Sequence, residues 1–86
     1  MKIFITSHAR EEIGRRNISI AQIEAILKEP EQLVSGYSGK KVYQSRVLFE
    51  NGQTYLIRII VDENASPWKV ITAYRTTKIS KYWRET

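Results

Sequence analysis

The spacing of apolar residues changes along the chain, and the changes mark out the elements. Residues 2–6 form a short β-branched and aromatic run, which reads as a strand. Thr6 or Ser7 can then cap a helix with Glu11 and Glu12 in its first turns, favourable to its dipole, and this helix is expected to fray near Gly14. A second helix begins at Ser19. Ser19 and Gln22 stand at the spacing of a capping box, and Ile18 and Ile23 at that of a hydrophobic staple. Ile20, Ile23, Ile26 and Leu27 supply its apolar stripe, and Pro30 stops it.

Three strands are expected next, at about residues 40–49, 53–61 and 68–76, all rich in Val, Ile, Tyr, Trp or Thr. Asn51-Gly52 between the first two is a hairpin signal, and residues 62–67 are long enough to turn a second hairpin. The middle strand is apolar on both faces apart from Arg58, which places it centrally in the sheet. Residues 77–86 are amphipathic and suit a helical turn or two. The order β-α-α-β-β-β-(α) is an α+β domain spanning 1–86, a three-stranded antiparallel meander with helices on one face and the other face left available.

Composition narrows the function classes. A chain of 86 residues, 42% hydrophobic and 10% aromatic, belongs with single globular domains. Cysteine is absent, so disulfides and thiolate metal sites are excluded, which suits a cytoplasmic location. The first residues lack the features of a signal peptide, and no apolar run approaches the roughly 18 residues of a membrane span. The net charge of +5 is unevenly placed. Residues 67–86 carry Lys69, Arg75, Lys78, Lys81 and Arg84 against Glu85 alone, and residues 1–20 are also basic. A basic end segment is the electrostatic footprint of a nucleic-acid partner, although solubility accounts for it equally well.

The single histidine, His8, shares a helix face with Glu12 and Arg15 at spacings of four and seven. One His without Cys cannot anchor zinc, so neither a metal nor another cofactor is expected. His8 is either a surface residue or a proton carrier near neutral pH. Arg46, Arg58 and Arg75 each interrupt an apolar strand, where a cation is expensive. If the hairpin loop is only Asn51-Gly52, Leu48 pairs with Tyr55 and Arg46 lies opposite in face to Arg58. If the loop is Glu50-Asn51-Gly52 with Gly52 left-handed in a bulge, Arg46 pairs with Leu56 and the two arginines share a face. Each arginine could instead be neutralised by a carboxylate such as Glu24 or Asp62, a reading that favours Arg46 most. Tyr74, Arg75 and Lys78, followed by Lys81, Tyr82, Trp83 and Arg84, interleave cations with aromatics, as single-stranded RNA binding requires, whereas Trp83 reads best as fastening the tail. No glycine-rich phosphate loop or nucleophile elbow is present. RNA cleavage needs neither, because its 2′-hydroxyl already stands beside the phosphorus, and cations plus proton carriers suffice.

Two segments carry a family resemblance. The opening ITSHAREEIGRRNIS, continuing through QIEAILKEPEQLV, resembles a group of small bacterial domains placed with the RelE/ParE-like toxins, and the closing VITAYRTTKISKYWRE resembles the ending of BrnT-like ribonuclease toxins. The resemblance implies a RelE-like fold whose open sheet face binds RNA, and a metal-independent endoribonuclease restrained by a co-encoded antitoxin. It places Arg75 and Lys78 on the basic ending that binds and cleaves RNA, and His8 and Arg15 on the opening motif. This chain departs from BrnT in having Tyr74 where an arginine is usual and Tyr82 where the ending is more basic.

The expected function is therefore a toxin-like endoribonuclease acting on RNA by 2′-hydroxyl attack, with ribosome-associated mRNA one candidate substrate. In it Arg58 and Arg75 hold one phosphate, Lys78 assists, and His8 or Tyr74 moves protons, while Arg15, Arg46, Lys81, Tyr82 and Arg84 bind RNA. The chain alone is expected to be a monomer or weak dimer. The alternatives are a non-catalytic nucleic-acid- or protein-binding domain of the same fold, and a domain whose tail only mediates self-association. The catalytic expectation requires Arg58 and Arg75 to meet on one face of the sheet.

Overall fold

The computed structural model describes residues 2–85. Its order is β1 (Ile3–Ile5), α1 (Ser7–Arg15), α2 (Ile20–Lys28), β2 (Gln32–Ser35), β3 (Lys41–Leu48), β4 (Thr54–Asp62), β5 (Trp68–Thr76) and α3 (Ile79–Tyr82). The chain is α+β, with one mixed five-stranded sheet ordered β1-β5-β4-β3-β2. β1 runs parallel to β5, and every other pair is antiparallel. β4 is the central strand, as its apolar character requires.

The capping chemistry of both helices forms. The Thr6 hydroxyl accepts from the Ala9 N–H at 3.1 Å. Ser19 and Gln22 close a reciprocal capping box at 2.9 and 3.0 Å, and the staple residues Ile18 and Ile23 are both buried. α1 ends at Arg15, one residue past Gly14 and so near where fraying was expected, with the reversal made by Asn17 at φ 57°. Asn is one of the few non-glycine residues that tolerates this region. One expectation fails: Ile20, at the first position of α2, stays exposed, and only Ile23, Ile26 and Leu27 of the expected stripe are buried.

α1 and α2 pack on one face of the sheet. Ala9, Ile13, Ile18, Ile23, Ile26 and Leu27 meet Ile57, Ile59, Val61, Val70 and Ala73 to form the core. Each fully buried isoleucine contributes about 1.5–3 kcal/mol before entropy is counted. A bulge in β5, between the pairs Ile60↔Thr72 and Val61↔Val70, keeps both Val70 and Ala73 facing the helices.

The β3–β4 hairpin takes the three-residue register. Arg46 pairs with Leu56 and Leu48 with Thr54, and Phe49 and Gln53 close a loop of Glu50, Asn51 and Gly52. Gly52 lies at φ 81°, the left-handed position that ends such a loop. This register puts Arg46 and Arg58 on the same face, the one away from α1 and α2.

β2 was not expected from sequence. It is a four-residue edge strand, and its pairing with β3 comes from tertiary contact rather than from any strong local preference. Nor is the second sheet face left open. Val42, Leu56 and Ile60 on that face are buried. The chain beyond β5 crosses over the sheet there, tied to Gln44 on β3 and Gln32 on β2. Apolar residues on both faces of β3 and β4 demand this second cover. Among the described residues no helix is long and apolar enough to cross a membrane.

Candidate nucleic-acid interface

The second face gathers a polar cluster around Arg58. In the ladder Arg58 stands between Gln44 on β3 and Tyr74 on β5. Its Nε donates to Gln44 Oε1 at 2.8 Å and its NH1 donates to the Tyr74 hydroxyl at 2.7 Å. The Tyr82 ring from α3 lies 4.3 Å from the guanidinium carbon, in cation–π range, and Tyr74 meets Tyr82 edge to face at 6.2 Å. Among the described residues no carboxylate pairs with Arg58. It is a half-buried positive charge whose partners among the described residues are all neutral.

Gln44, fully buried, supports this arrangement. Its amide nitrogen donates to Gln32 Oε1 at 2.8 Å and to the Tyr82 carbonyl at 3.2 Å, so the oxygen that Arg58 uses is fixed in place. Neither Gln44 nor Gln32 was singled out from sequence. The available signal was Gln44 itself, a neutral polar residue in the middle of a strand otherwise expected to be buried.

The two tyrosines are electrostatically unlike. Burial pushes the Tyr74 phenol up, against the opposing hydrogen bond and charge of Arg58. Tyr82 is drawn below the ordinary phenol value of 10.0, first by its hydrogen bond with Tyr74, against some desolvation, and then by the charges of Lys81 and Arg58. Lys81 Nζ lies 5.3 Å from the Tyr82 ring.

Arg75 is not in this cluster. It pairs with Ile57, one step from the Arg58↔Tyr74 pair, and side chains alternate faces at each step. Its guanidinium therefore lies on the helix side, 4.4 Å from the Phe49 ring centroid and 4.2 Å from that of Tyr55. The expectation that Arg58 and Arg75 clamp one phosphate is overturned by this alternation.

Arg46 shares the face of Arg58 but is neutralised. Its Nε and NH2 donate to the two oxygens of Glu31, each at 3.1 Å, and its backbone N–H donates to Glu31 at 2.7 Å. The Arg46 hydrogen bonds hold the Glu31 carboxyl below its ordinary value. A carboxylate partner was one of the readings from sequence, but it is Glu31, the residue before β2, not Glu24 or Asp62. Behind this pair the Trp83 ring lies 4.1 Å from the Arg46 guanidinium carbon, so Trp83 does fasten the tail.

His8 and Arg15 lie on α1, on the opposite side of the sheet from Arg58. Arg15 bridges to Glu12 at 2.5 Å and to Glu11 at 3.5 Å, and Arg16 also binds Glu12. Hydrogen bonding from Arg16 is the main cause that holds the Glu12 carboxyl low, with the charges of Arg15, Arg16 and His8 adding to it. The opening motif thus builds a local ion-pair cluster that the sheet separates from Arg58, and His8 cannot serve as its proton carrier. Lys78, Lys81 and Arg84 are exposed along the tail. Among the described residues no group of three or more His, Cys, Asp or Glu gathers as a metal site.

Residues 5–75 match the family described as a domain of unknown function, DUF4258. The chain belongs to that family. No curated protein and no solved structure matches it. The match takes in Gln44, Arg46, Arg58, Tyr74 and Arg75 and stops there, so the tail bearing Lys78, Lys81 and Tyr82 lies beyond the part of the DUF4258 domain that is matched.

Proposed function

We propose that this DUF4258 domain is an RNA-binding, toxin-like domain of RelE/ParE-like architecture, and that Arg58 receives a backbone phosphate. The observation that carries the reading is an arginine on the central strand with no carboxylate partner among the described residues, flanked by two tyrosines and followed in the chain by the exposed cations Lys78, Lys81 and Arg84 of the tail. Phosphate contacts of this kind bind without reading sequence and weaken with salt. In this reading the domain works in the cytoplasm on mRNA and is held in check by a co-encoded protein. The test is binding of labelled single-stranded RNA across a salt series. Affinity should fall steeply with salt and drop about tenfold or more in Arg58→Ala, the scale of a lost charged contact. Salt-independent binding, or an Arg58→Ala variant that binds like the parent, counts against the assignment.

A second reading, cleavage, is favoured by the lowered Tyr82 phenol beside Arg58. The 2′-oxygen attacks phosphorus as Tyr82 takes its proton, the bond to the 5′-oxygen breaks, and that oxygen is protonated by Tyr74, which burial keeps neutral. Arg58 offsets the charge on the phosphoryl oxygens. The products are a 2′,3′-cyclic phosphate and a 5′-hydroxyl. Cyclic-phosphate ends that disappear in Tyr82→Phe while RNA binding persists distinguish this reading from binding alone.

A further inference from the structure

At the hairpin end of the sheet, on the helix side, lies a cleft unconnected with Arg58. It has a volume of about 370 Å³ and is lined by Asn17, Phe49, Glu50, Asn51 and Arg75. That volume lies at the lower end of the range, about 300–1,000 Å³, typical of small-ligand sites. Arg75 is oriented by the Phe49 and Tyr55 rings, at 4.4 and 4.2 Å, and these rings are themselves packed edge to face at 4.9 Å. Asn51 is committed to the loop, donating to the Tyr55 hydroxyl at 3.0 Å and accepting from the Gln53 N–H at 3.0 Å. Glu50 and Arg75 carry opposite charges into the same small cleft, yet no ion pair among the described residues joins them. The cleft therefore offers a fixed fork of donors, a separate carboxylate acceptor and an aromatic wall.

We infer that this cleft is a base-reading subsite for guanine in single-stranded RNA, an inference that rests on the RNA reading above. Guanine is the base whose edges fit both charges. Its O6 and N7 accept two hydrogen bonds from one arginine fork. Its N1–H and N2–H donate to one carboxylate, here that of Glu50. Adenine presents an amino group where guanine has O6 and an acceptor where guanine has N1–H, so it opposes both side chains. Uracil has a single N–H donor between two carbonyl acceptors, so it meets neither the arginine fork nor the carboxylate with two bonds. Splayed bases of single-stranded RNA are read on these edges beside aromatic and arginine planes. Tyr74 and Arg75 are consecutive in β5 but point to opposite faces, so an RNA strand rounding the end of the sheet, past the exposed Leu48, reaches Arg58 on one side and this cleft on the other.

The test uses the whole chain and short oligouridines carrying one central guanine, adenine, inosine or 7-deazaguanine, with affinity read by fluorescence anisotropy. Guanine should bind about tenfold tighter than adenine, the discrimination of a good bidentate base contact. Inosine, lacking the N2 amino group, and 7-deazaguanine, lacking N7, should each lose part of that advantage. Arg75→Ala and Glu50→Gln should each lower the guanine-to-adenine ratio and together bring it near one, and Glu50→Gln alters an exposed loop residue without touching the core. Arg58→Ala should weaken all four RNAs alike and leave the ratio unchanged. Equal affinity for guanine and adenine, with binding still dependent on Arg58, overturns the subsite and spares the RNA reading. No binding of any of the RNAs overturns both.

Discussion

The side-chain amide of Gln32 pairs with the backbone of Arg84 at two points, donating to its carbonyl at 2.7 Å and accepting from its N–H at 3.0 Å. The same Gln32 oxygen accepts from the buried Gln44 at 2.8 Å. One side chain on an edge strand thus acts as an extra strand partner for the tail and also completes the polar cluster beneath it. Replacing it should release the tail and leave a buried amide short of an acceptor.

Gln32→Ala is expected to cost about 1–3 kcal/mol, the penalty for stranding a buried polar group. Hydrogen exchange at the Arg84 amide should quicken far more than exchange in β4, since only the tail loses its anchor. Urea denaturation and native-state exchange measure the two effects. An Arg84 amide as protected as in the parent contradicts the clasp.

Acid should weaken the fold through two carboxylates. Hydrogen bonding from Arg46 to Glu31, and from Arg16 to Glu12, holds both below the ordinary value of 4.5. A carboxyl whose folded-state value is depressed contributes stability above its unfolded value, and the contribution is lost as pH falls through 4.5 toward the folded value. Glu31 and Arg46 are half exposed, at 41% and 48%, so solvent screening keeps the contribution of their pair small. Denaturation midpoints measured from neutral pH down to the acid limb should decline. The decline should be shallower in Glu31→Gln and in Glu12→Gln. Parallel curves for parent and variants remove these carboxylates as the cause.

The elements that were legible in sequence are those whose local signals agree with one another. Ser19, Gln22, Ile18 and Ile23 specify a helix start without help from the rest of the chain, and the structure forms each of those contacts. The hairpin was narrowed to two registers by Asn51-Gly52, and the choice between them depends on how the whole β3–β4 ladder buries its residues. β2 was missed because Gln32–Ser35 is short and acquires its strand character only by pairing with β3. The site was legible at Arg58 and Tyr74, as polar groups in apolar strands. Arg75 was misplaced because its face depends on register, which a sequence does not state. The cover over the second face, with Gln32 and Gln44 as its fasteners, depends on contacts between residues far apart in the chain and had no local signal.

Gly52 offers a test of the observed register. It sits at φ 81°, and an added Cβ there meets nothing within 4 Å, so any substitution penalty is conformational rather than steric against neighbours. Gly52→Ala should destabilise by about 1–2 kcal/mol, the cost of a left-handed L-residue. Gly52→Asn should cost less, because Asn tolerates that region better. Thermal or urea denaturation ranks the two variants. Indifference to both means that the three-residue loop does not form in solution.

Tyr82 and Tyr74 make opposite predictions about pH if the chain cleaves RNA. Tyr82 acts as base only when ionised, so at pH values below its lowered phenol value the rate should climb about tenfold per pH unit. Tyr82→Phe removes the base, and the slope should vanish with the activity. Tyr74→Phe has a different signature: it removes the acid that protonates the 5′-oxygen, which lowers the rate at every pH, and also the hydrogen bond that is the largest cause of the lowering. Tyr82 then moves back toward 10.0, and the rising limb should shift to higher pH while its slope is kept. Single-turnover rates on labelled RNA across pH separate these outcomes. A Tyr74→Phe profile displaced to lower pH cannot be reconciled with a Tyr82 base activated by Tyr74, whereas a slower profile displaced upward is what an acid that also activates the base requires.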